Sequence, residues 1–219
     1  MYIVTGGNAG VGKELATLLY AKGATVYIAA RNEEKAAVTM DSIRNGYPSS
    51  VGHLKFLELD LADLESVSKA AKSFLTSAKS LDVLFNNAGV MHPPEGSTTK
   101  QGYELQLGVH NIGHVLFTEL LTPLLAKTAA SYSAAGREGC VRVIWVSSLT
   151  AESSPTGGVD LSNLNYSKRD ESKYTKYSIS KAGVYYQGTE YAKRHKHEGI
   201  ISVVSYANPI SPLQLTIAD

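Results

Sequence analysis

The chain has 219 residues, of which 43% are hydrophobic, and its formal net charge at pH 7 is +1. This length and composition predict a single domain over residues 1–219, and the near-neutral charge argues against nucleic acid as a partner. The lone cysteine, Cys140, excludes an internal disulfide. Because the sequence has no basic and apolar leader and no apolar run of about 18 residues, we expect a cytoplasmic protein without a membrane span.

Short apolar runs alternate with amphipathic runs along the whole chain. The apolar runs predict strands at residues 2–5, 25–30, 54–59, 82–85, 141–147 and 200–205. The amphipathic runs predict helices at residues 11–22, 33–44, 64–78, 102–126 and 177–195, the second and third with Asn32 and Asp63 as N-caps. Residues 129–139 and 150–173 predict surface loops. This order predicts an α/β fold, a doubly wound parallel sheet with helices on both faces.

The first predicted strand leads through glycines into the first helix, with the sequence T-G-G-N-A-G-V-G at residues 5–12. Free N–H groups at a helix start, together with the positive end of the helix dipole, favour a phosphate there. A P-loop is excluded because Glu14 takes the place of its Ser or Thr, and G-x-G-x-x-G is excluded because Leu15 takes the place of its last glycine. The pattern T-G-x-x-x-G-x-G indicates a nucleotide site; a glycine turn without a ligand is the alternative.

Ligands of doubly wound sheets lie at the carboxyl ends of the strands, so residues that follow strands are candidates. Arg31 follows the second predicted strand, where an NAD site usually has an acid for the ribose 2′-hydroxyl. A guanidinium there would instead pair with the 2′-phosphate of NADP(H); an ordinary surface arginine is the alternative. Asp60 and Leu61 follow the third strand, and N-N-A-G at residues 86–89 follows the fourth. Both sets suit an adenine and a ribose, and each also suits a plain turn or cap.

Tyr177 and Lys181 are four residues apart in a predicted helix, which places their Cβ atoms about 5–6 Å apart on one face. A cation about 6 Å away would lower the phenol pKa by roughly two units from its ordinary value near 10. Tyr177 would then be a usable proton donor and acceptor. Tyr174 competes less well, because Ser178 and not a lysine stands four residues later. A packed tyrosine beside a solvated lysine is the alternative.

These motifs, taken in chain order with Asn111 and Ser148, resemble the short-chain dehydrogenase/reductase family over nearly the whole chain. Three features are similar to the retinol dehydrogenase and protochlorophyllide reductase-like branch of this family. They are the sequence A-A-R at residues 29–31, the sequence H-N-I-G-H at 110–114, and the long gap between Ser148 and Tyr177. The resemblance implies a Rossmann-type sheet with strand order 3-2-1-4-5-6. It also implies an NADP(H)-preferring oxidoreductase that acts on a CH–OH or C=O group of a lipophilic small molecule. A homodimer is a further expectation, through the helices that carry Asn111 and Tyr177.

The resemblance implies a role for each of four catalytic residues. Tyr177 exchanges a proton with the substrate oxygen, and Lys181 lowers its pKa and holds the nicotinamide ribose. Ser148 stabilises the developing alkoxide, and Asn111 supports a water chain that relays the proton from Lys181 to solvent. The implied cofactor contacts are Gly6, Asn8, Gly10, Val11, Gly12, Arg31, Asp60, Leu61, Asn87, Ala88, Gly89, Tyr177, Lys181 and Pro209. Of these, the resemblance implies that Asp60 and Leu61 meet the adenine and that Asn87, Ala88 and Gly89 meet the nicotinamide side.

His110 and His114 are one helical turn apart and could chelate a metal. No acid or cysteine completes a ligand set, so we expect no metal and expect both rings to pack beside Asn111.

The end of the chain departs from the family pattern. The family usually has Asn-Pro-Gly and then Thr after the sixth strand, whereas Ile210 replaces the glycine here. The sequence stops short of the usual seventh strand and substrate lid. We therefore expect a groove above Gly10, Asn87 and Tyr177 that is open towards residues 208–219. A chain break between residues 205 and 207 would indicate an omitted lid.

Three functions stay open from the sequence, because the fold alone does not separate them. The first is an NADP(H)-dependent carbonyl reductase or alcohol dehydrogenase, favoured because all four catalytic residues are present. The second is a cofactor-binding protein that is inactive or regulatory. The third is an enzyme that runs a redox-independent reaction in the same pocket.

Overall fold

The computed structural model describes the backbone of residues 1–208 and 211–217 and the side chains of residues 1–206. Within these residues, seven strands form one sheet. In chain order they are β1 (Tyr2–Thr5), β2 (Thr25–Ala30), β3 (His53–Glu58), β4 (Val83–Asn86), β5 (Val141–Ser147), β6 (Ile200–Asn208) and β7 (Ser211–Ile217). Their order in the sheet is β3-β2-β1-β4-β5-β6-β7, and β1 to β6 are parallel. The predicted doubly wound α/β fold and the strand order 3-2-1-4-5-6 are confirmed.

Helices connect the parallel strands. They are α1 (Gly10–Ala21), α2 (Glu33–Gly46), α3 (Leu64–Ser77), the single turn α4 (Leu105–Leu107), α5 (His114–Ala134) and α6 (Lys173–His195). Both predicted N-caps are confirmed. The side chain of Asn32 accepts from the Lys35 N–H at 2.8 Å, and that of Asp63 accepts from the Glu65 N–H at 3.0 Å.

The helix predicted at residues 102–126 is wrong at both ends. Gly102 has a φ of 82° and lies in a turn, which an α-helix cannot include. A π-helical segment, Gly108–Gly113, separates α4 from α5. At the other end α5 continues to Ala134, into the predicted loop at residues 129–139. The buried Thr128 accepts a hydrogen bond from the Leu81 N–H at 3.1 Å and ties this turn to the sheet.

The last helix and the last strand also differ from the prediction. Helix α6 begins at Lys173 and not at Tyr177, because Ser172 caps it by accepting from the Thr175 N–H at 3.1 Å. No seventh strand was expected, yet β7 pairs antiparallel with β6. The backbone of β6 runs without a break from Ile200 to Asn208, so the chain break considered between residues 205 and 207 is absent.

The core has two layers, one on each face of the sheet. On one face, Val4 and Ile28 of the sheet are buried in one cluster with Tyr20 of α1 and Met40 of α2. The larger layer, on the other face, lies under α3, α5 and α6. Its members include Tyr27, Phe74, Phe117, Leu121, Leu125, Trp145 and Tyr191. With both faces covered, the carboxyl ends of the strands form the exposed edge where a ligand can bind.

Candidate active site

The glycine turn between β1 and α1 leaves room for a ligand. Gly6 and Gly10 have φ values of 66° and 51°, which side chains adopt rarely. A Cβ at Gly12 would lie 2.4 Å from the Gly6 carbonyl oxygen, so only glycine fits there. The N-cap of α1, Ala9, has no side-chain acceptor for the first N–H groups of the helix. Those N–H groups and the helix dipole therefore face the cleft, as a phosphate site requires.

Thr5 joins this turn to the loop after β4. Its hydroxyl accepts hydrogen bonds from the N–H groups of Asn87 and Ala88, both at 2.9 Å. The Asn87 side chain in turn donates to the Thr5 carbonyl oxygen at 2.8 Å. His114 lies behind this junction, with its Nε2 atom 3.0 Å from the Thr5 hydroxyl. The turn after β1 and the loop after β4 are thus held as one surface.

A cationic end of the cleft follows β2. Arg31 is exposed at the cleft rim, together with Asn32 and Lys35. Asp60 and Leu61, which follow β3, line the same end. One Asp60 carboxylate oxygen accepts from the Ala62 N–H at 2.9 Å, which fixes that side chain.

Ser148, Tyr177 and Lys181 meet at the opposite end of the cleft. The Lys181 ammonium donates to the Val146 carbonyl oxygen at 2.9 Å and lies 5.8 Å from the centre of the Tyr177 ring. Burial lowers the pKa of Lys181 to about 8. The long side chain is therefore held inside the site by the end of β5.

The expected lowering of the Tyr177 pKa is wrong for this structure. Burial raises the pKa of Tyr177 above its ordinary value, and the hydroxyl of Ser148 offsets that rise only in part. The sequence argument counted the charge of Lys181 but not the cost of placing a phenolate in a half-buried site. Tyr177 is consequently protonated at neutral pH.

Asn111 lies behind the cleft and does not line it. It is buried in the π-helical segment, and its Nδ2 atom donates to the Ser180 carbonyl oxygen at 3.0 Å and to the Gln187 side chain at 3.2 Å. Its Oδ1 atom is buried and has no partner among the described residues. The Asn111 side chain thus holds the π-helical segment against α6. Its partner on that helix, Ser180, is two residues after Ser178 and directly before Lys181.

His110 lies beside Asn111, as predicted, because both side chains contact Ser180; for His114 this position stays a prediction. His110 Nδ1 lies 2.8 Å from the Ser180 hydroxyl, and His114 contacts Thr5. Burial lowers the pKa of both rings, that of His114 to about 3. Within the described residues, no three histidine, cysteine or acidic side chains converge as a metal site would require.

The cleft has a volume of about 810 Å³, which suits a dinucleotide. Of the predicted site residues, all line it except Asn111 and Pro209, and Pro209 lies outside the described residues. The predicted groove above Gly10, Asn87 and Tyr177 is therefore present. Its opening towards residues 208–219 stays a prediction. The lining residues that sequence reasoning missed are Ala9, Ala30, Asn32, Lys35, Leu59, Val90, Met91, Val109, His110, Val146 and Ser147.

Two of the missed residues carried a signal in the sequence. Lys35 is four residues after Arg31, at the start of α2, and a second cation near a 2′-phosphate is a natural partner of the first. Val90 directly continues the N-N-A-G sequence. His110 was noticed in the sequence only as a neighbour of Asn111, because its contact with the cleft depends on α6, which is far away in the chain.

The comparisons with known proteins agree with this geometry. The family model for short chain dehydrogenases matches residues 1–159. This chain belongs to the short-chain dehydrogenase/reductase family. Over 205 residues it is 47% identical to a short-chain dehydrogenase/reductase of Phomopsis amygdali, covering 93% of this chain and 60% of that protein. It is 46% identical over 205 residues to one of Emericella nidulans, covering 93% of this chain and 64% of that protein.

Solved structures share the architecture. A RhlG/NADP active-site complex of Pseudomonas aeruginosa matches with a TM-score of 0.69 and 26% identity, over 93% of this chain and 70% of that one. A metagenomic short-chain oxidoreductase in complex with NADP has a TM-score of 0.69 and 23% identity, over 97% and 81%. This chain spans about three fifths of the length of the curated relatives above. In the described part of the chain, no helix is both long and apolar enough to cross a membrane.

The residues of this short-chain dehydrogenase/reductase fit a nicotinamide dinucleotide. The uncapped start of α1 and the close packing at Gly12 form a cradle for a pyrophosphate. Arg31 and Lys35 supply positive charge at one end, and Tyr177 with Lys181 form the other.

Proposed function

We propose that this chain is an NADP(H)-dependent oxidoreductase that transfers a hydride between nicotinamide and a carbonyl or alcohol carbon of a lipophilic small molecule. One observation carries the proposal. A single cleft joins the phosphate cradle at Gly10 and Gly12, the cation Arg31, and the groups Ser148, Tyr177 and Lys181. Fold similarity alone would not support a function, but this combination of groups in one cleft does.

The choice of NADP(H) rests on charge. Arg31 and Lys35 stand at the carboxyl end of β2 and the start of α2, where the adenosine ribose binds in sheets of this type. A guanidinium pairs with a phosphate through charge-assisted hydrogen bonds, whereas an acid there would repel it. The solved relatives from Pseudomonas aeruginosa and from the metagenome were obtained with NADP, which supports the same choice.

Proton transfer would be the work of Tyr177. The nicotinamide supplies or accepts the hydride when bound. In reduction, the phenol of Tyr177 donates its proton to the oxygen that becomes an alkoxide, and its raised pKa keeps that proton in place at neutral pH. The Ser148 hydroxyl, in contact with the phenol, stabilises the same oxygen by a hydrogen bond. Lys181 would move from the Val146 carbonyl oxygen towards the nicotinamide ribose, and Asn111 would support proton relay behind it.

The lipophilic substrate is supported by the surface beside the reacting groups. Met91, which lines the cleft, is 67% exposed. Leu149, directly after the lining residue Ser148, is 41% exposed, and Tyr174, three residues before Tyr177, is 51% exposed; neither of these two lines the cleft itself. Exposed large apolar side chains in and near a cleft favour an apolar ligand.

We further propose that the protein is a cytoplasmic homodimer, with α5 and α6 as the shared surface. On α6 the exposed rings of Tyr185 and Tyr186 pack against each other with their centres 5.9 Å apart, and aromatic side chains of this kind are common at interfaces. The free thiol of Cys140 suits a reducing compartment. Light scattering on the purified protein tests the dimer, because it gives one or two times the chain mass of 23.5 kDa.

The activity is tested by mixing the protein with NADPH or NADH and a panel of aliphatic, aromatic and polycyclic aldehydes and ketones. We expect NADPH absorbance to fall with the apolar carbonyls, and to fall much more slowly with NADH. Tight NADPH binding without turnover on the whole panel would favour the inactive cofactor-binding alternative. A reaction product that forms with NADPH absorbance unchanged would favour the redox-independent one.

A further inference from the structure

A chain of buried hydrogen bonds passes through His110, between the loop after β4 and the second turn of α6. His110 is 1% exposed. Its Nε2 atom lies 3.0 Å from the Val90 N–H, and its Nδ1 atom lies 2.8 Å from the Ser180 hydroxyl. The Ser180 hydroxyl donates to the Tyr177 carbonyl oxygen at 2.7 Å. One side chain therefore links Val90 to the backbone of Tyr177.

The donors and acceptors of this chain have one consistent assignment. A backbone N–H can only donate, so Nε2 of His110 must accept from Val90. The neutral ring then carries its proton on Nδ1 and donates it to the Ser180 hydroxyl, whose own proton goes to the Tyr177 carbonyl oxygen. Burial and the Lys181 ammonium lower the pKa of His110 well below its ordinary value, which keeps the ring neutral. In this arrangement, every donor and acceptor that takes part in this hydrogen-bond chain has a partner.

The His110 ring also separates the two surfaces that it links. A Cβ at Gly89 would lie 2.9 Å from Nε2, so the loop rests directly on the ring. On its other side, the ring meets that of Tyr177 edge-on, with centres 5.7 Å apart and planes at 81°. The imidazole thus acts as a spacer of fixed width between Gly89 and the phenol of Tyr177.

We propose that His110 is a positioning residue, which sets the distance between the loop that faces the nicotinamide and the proton donor Tyr177. This inference rests on the proposed function, because it assigns the two surfaces to nicotinamide and acid. Hydride and proton must reach neighbouring atoms of one carbonyl group, and a displacement of about 1 Å costs on the order of 10²-fold in rate. A ring that is hydrogen-bonded at both nitrogens holds this spacing more firmly than an apolar side chain.

Three variants separate the two bonds. His110→Phe removes both and keeps the ring. His110→Gln keeps an acceptor near the Nε2 position and loses the donor to Ser180, whereas His110→Asn keeps a donor near Nδ1 and loses the acceptor for Val90. We expect His110→Phe to lower kcat by about 10- to 100-fold while the Kd for NADPH changes by less than about threefold. Gln and Asn should each restore part of the loss.

Hydrogen exchange reports the geometry without turnover. The Val90 amide should exchange about tenfold faster in His110→Phe and His110→Asn than in the wild type, and should stay protected in His110→Gln. The fluorescence emission of bound NADPH should shift in His110→Phe, because the nicotinamide surroundings change. Thr128→Val is the matched control, since it removes a buried hydrogen bond from the Leu81 N–H, which lies just before β4 at the amino end of that strand and away from the cleft. It should lower stability and leave kcat unchanged.

The outcomes separate the two proposals. Unchanged kcat in His110→Phe, or equal Val90 exchange in all three variants, contradicts the role of His110. If Thr128→Val loses kcat in proportion to its loss of stability, then a lower kcat reports lower stability in this protein. The kcat loss of His110→Phe would then be explained by stability alone, which also contradicts the positioning role of His110. A wild type that oxidises no NADPH contradicts the proposed reductase; the exchange and emission results then still decide whether His110 fixes this spacing.

Discussion

The two halves of the sheet build the cleft in different ways. In the first half, from β1 to β3, the ligand surface is mostly backbone: the turn at residues 6–12 and the uncapped start of α1. In the second half, from β4 to β6, it consists of side chains held by buried hydrogen bonds between residues far apart in the chain. Examples are His110 with Ser180 and Ser147 with the Lys181 carbonyl oxygen, at 2.8 Å each. One half is specified locally, and the other depends on how α5 and α6 pack.

This difference predicts where each half is sensitive. In the backbone half, a substitution that places a side chain in the glycine turn should weaken cofactor binding. The side-chain half should affect turnover, because its polar groups act on the transition state.

The largest effect is expected at the phenol. Tyr177→Phe should lower turnover by about 10²–10⁴-fold and leave NADPH affinity nearly unchanged, because the hydroxyl acts only in the reaction. Stopped-flow kinetics and NADPH titration measure the two quantities. Tyr174→Phe is the control and should act mainly on the KM for substrate. Wild-type turnover in Tyr177→Phe would remove this residue from the mechanism.

A filled glycine turn should have the next largest effect. In Gly12→Ala the new Cβ would lie 2.4 Å from the Gly6 carbonyl oxygen and 2.6 Å from Asn87 Nδ2. We expect a stability loss of about 1–3 kcal/mol together with weakened NADPH binding. Gly46→Ala, at the end of α2 with open space around the site, should be neutral or stabilising. Denaturant titration with and without NADPH measures both, and equal behaviour of the two variants would contradict the cradle.

The sequence predicted best the parts of the site that depend on short motifs. These are the turn at residues 5–12 in the first half and the N-N-A-G sequence after β4 in the second half, and both lie where expected. The raised pKa of Tyr177 could not be predicted, because burial there depends on the loop after β4 and on His110. The end of α5 at Ala134 could not be predicted either. The hydrogen bond from the Leu81 N–H to the Thr128 hydroxyl, which stabilises this part of α5, joins the helix to the segment just before β4. Strand β7 was missed because its sequence departs from the family pattern.

Loss of positive charge at the Arg31 end of the cleft should reduce the preference for NADPH over NADH, with a smaller effect than the two substitutions above. Arg31→Ala should weaken NADPH binding by roughly ten- to a hundredfold, equivalent to about 1.5–3 kcal/mol, and NADH binding should barely change. Lys35→Ala should have the same selectivity with a smaller loss. Isothermal titration with both cofactors gives the values. Equal losses for NADPH and NADH would show that Arg31 has a structural role only.

An effect that should appear only below neutral pH concerns the acid stability of the side-chain half. The folded protein keeps His110 and His114 neutral, because burial lowers both pKa values below the ordinary 6.5. The unfolded chain binds protons at both rings below that pH, so the free energy of unfolding should fall as the pH falls. The slope between pH 6.5 and 5 should approach about 1.4 kcal/mol per pH unit for each ring.

Urea unfolding at several pH values measures this slope. His114→Gln should reduce it by about half, since one of the two titrating rings is gone. Thr128→Val provides the control, because it removes a buried hydrogen bond and no titrating group, and it should leave the slope unchanged. A slope that is the same in His114→Gln and in the wild type would mean that the buried rings are charged in the folded protein.

The most direct test of hydride transfer in this cleft uses NADPH that carries deuterium at the transferable position of the nicotinamide. The protein, the labelled NADPH and an apolar ketone are incubated, and the product is analysed by mass spectrometry and NMR. We predict one deuterium on the carbinol carbon of the product with the wild type, and a loss of that product with Tyr177→Phe. Product without deuterium, or labelled product in equal yield from Tyr177→Phe, would contradict the account.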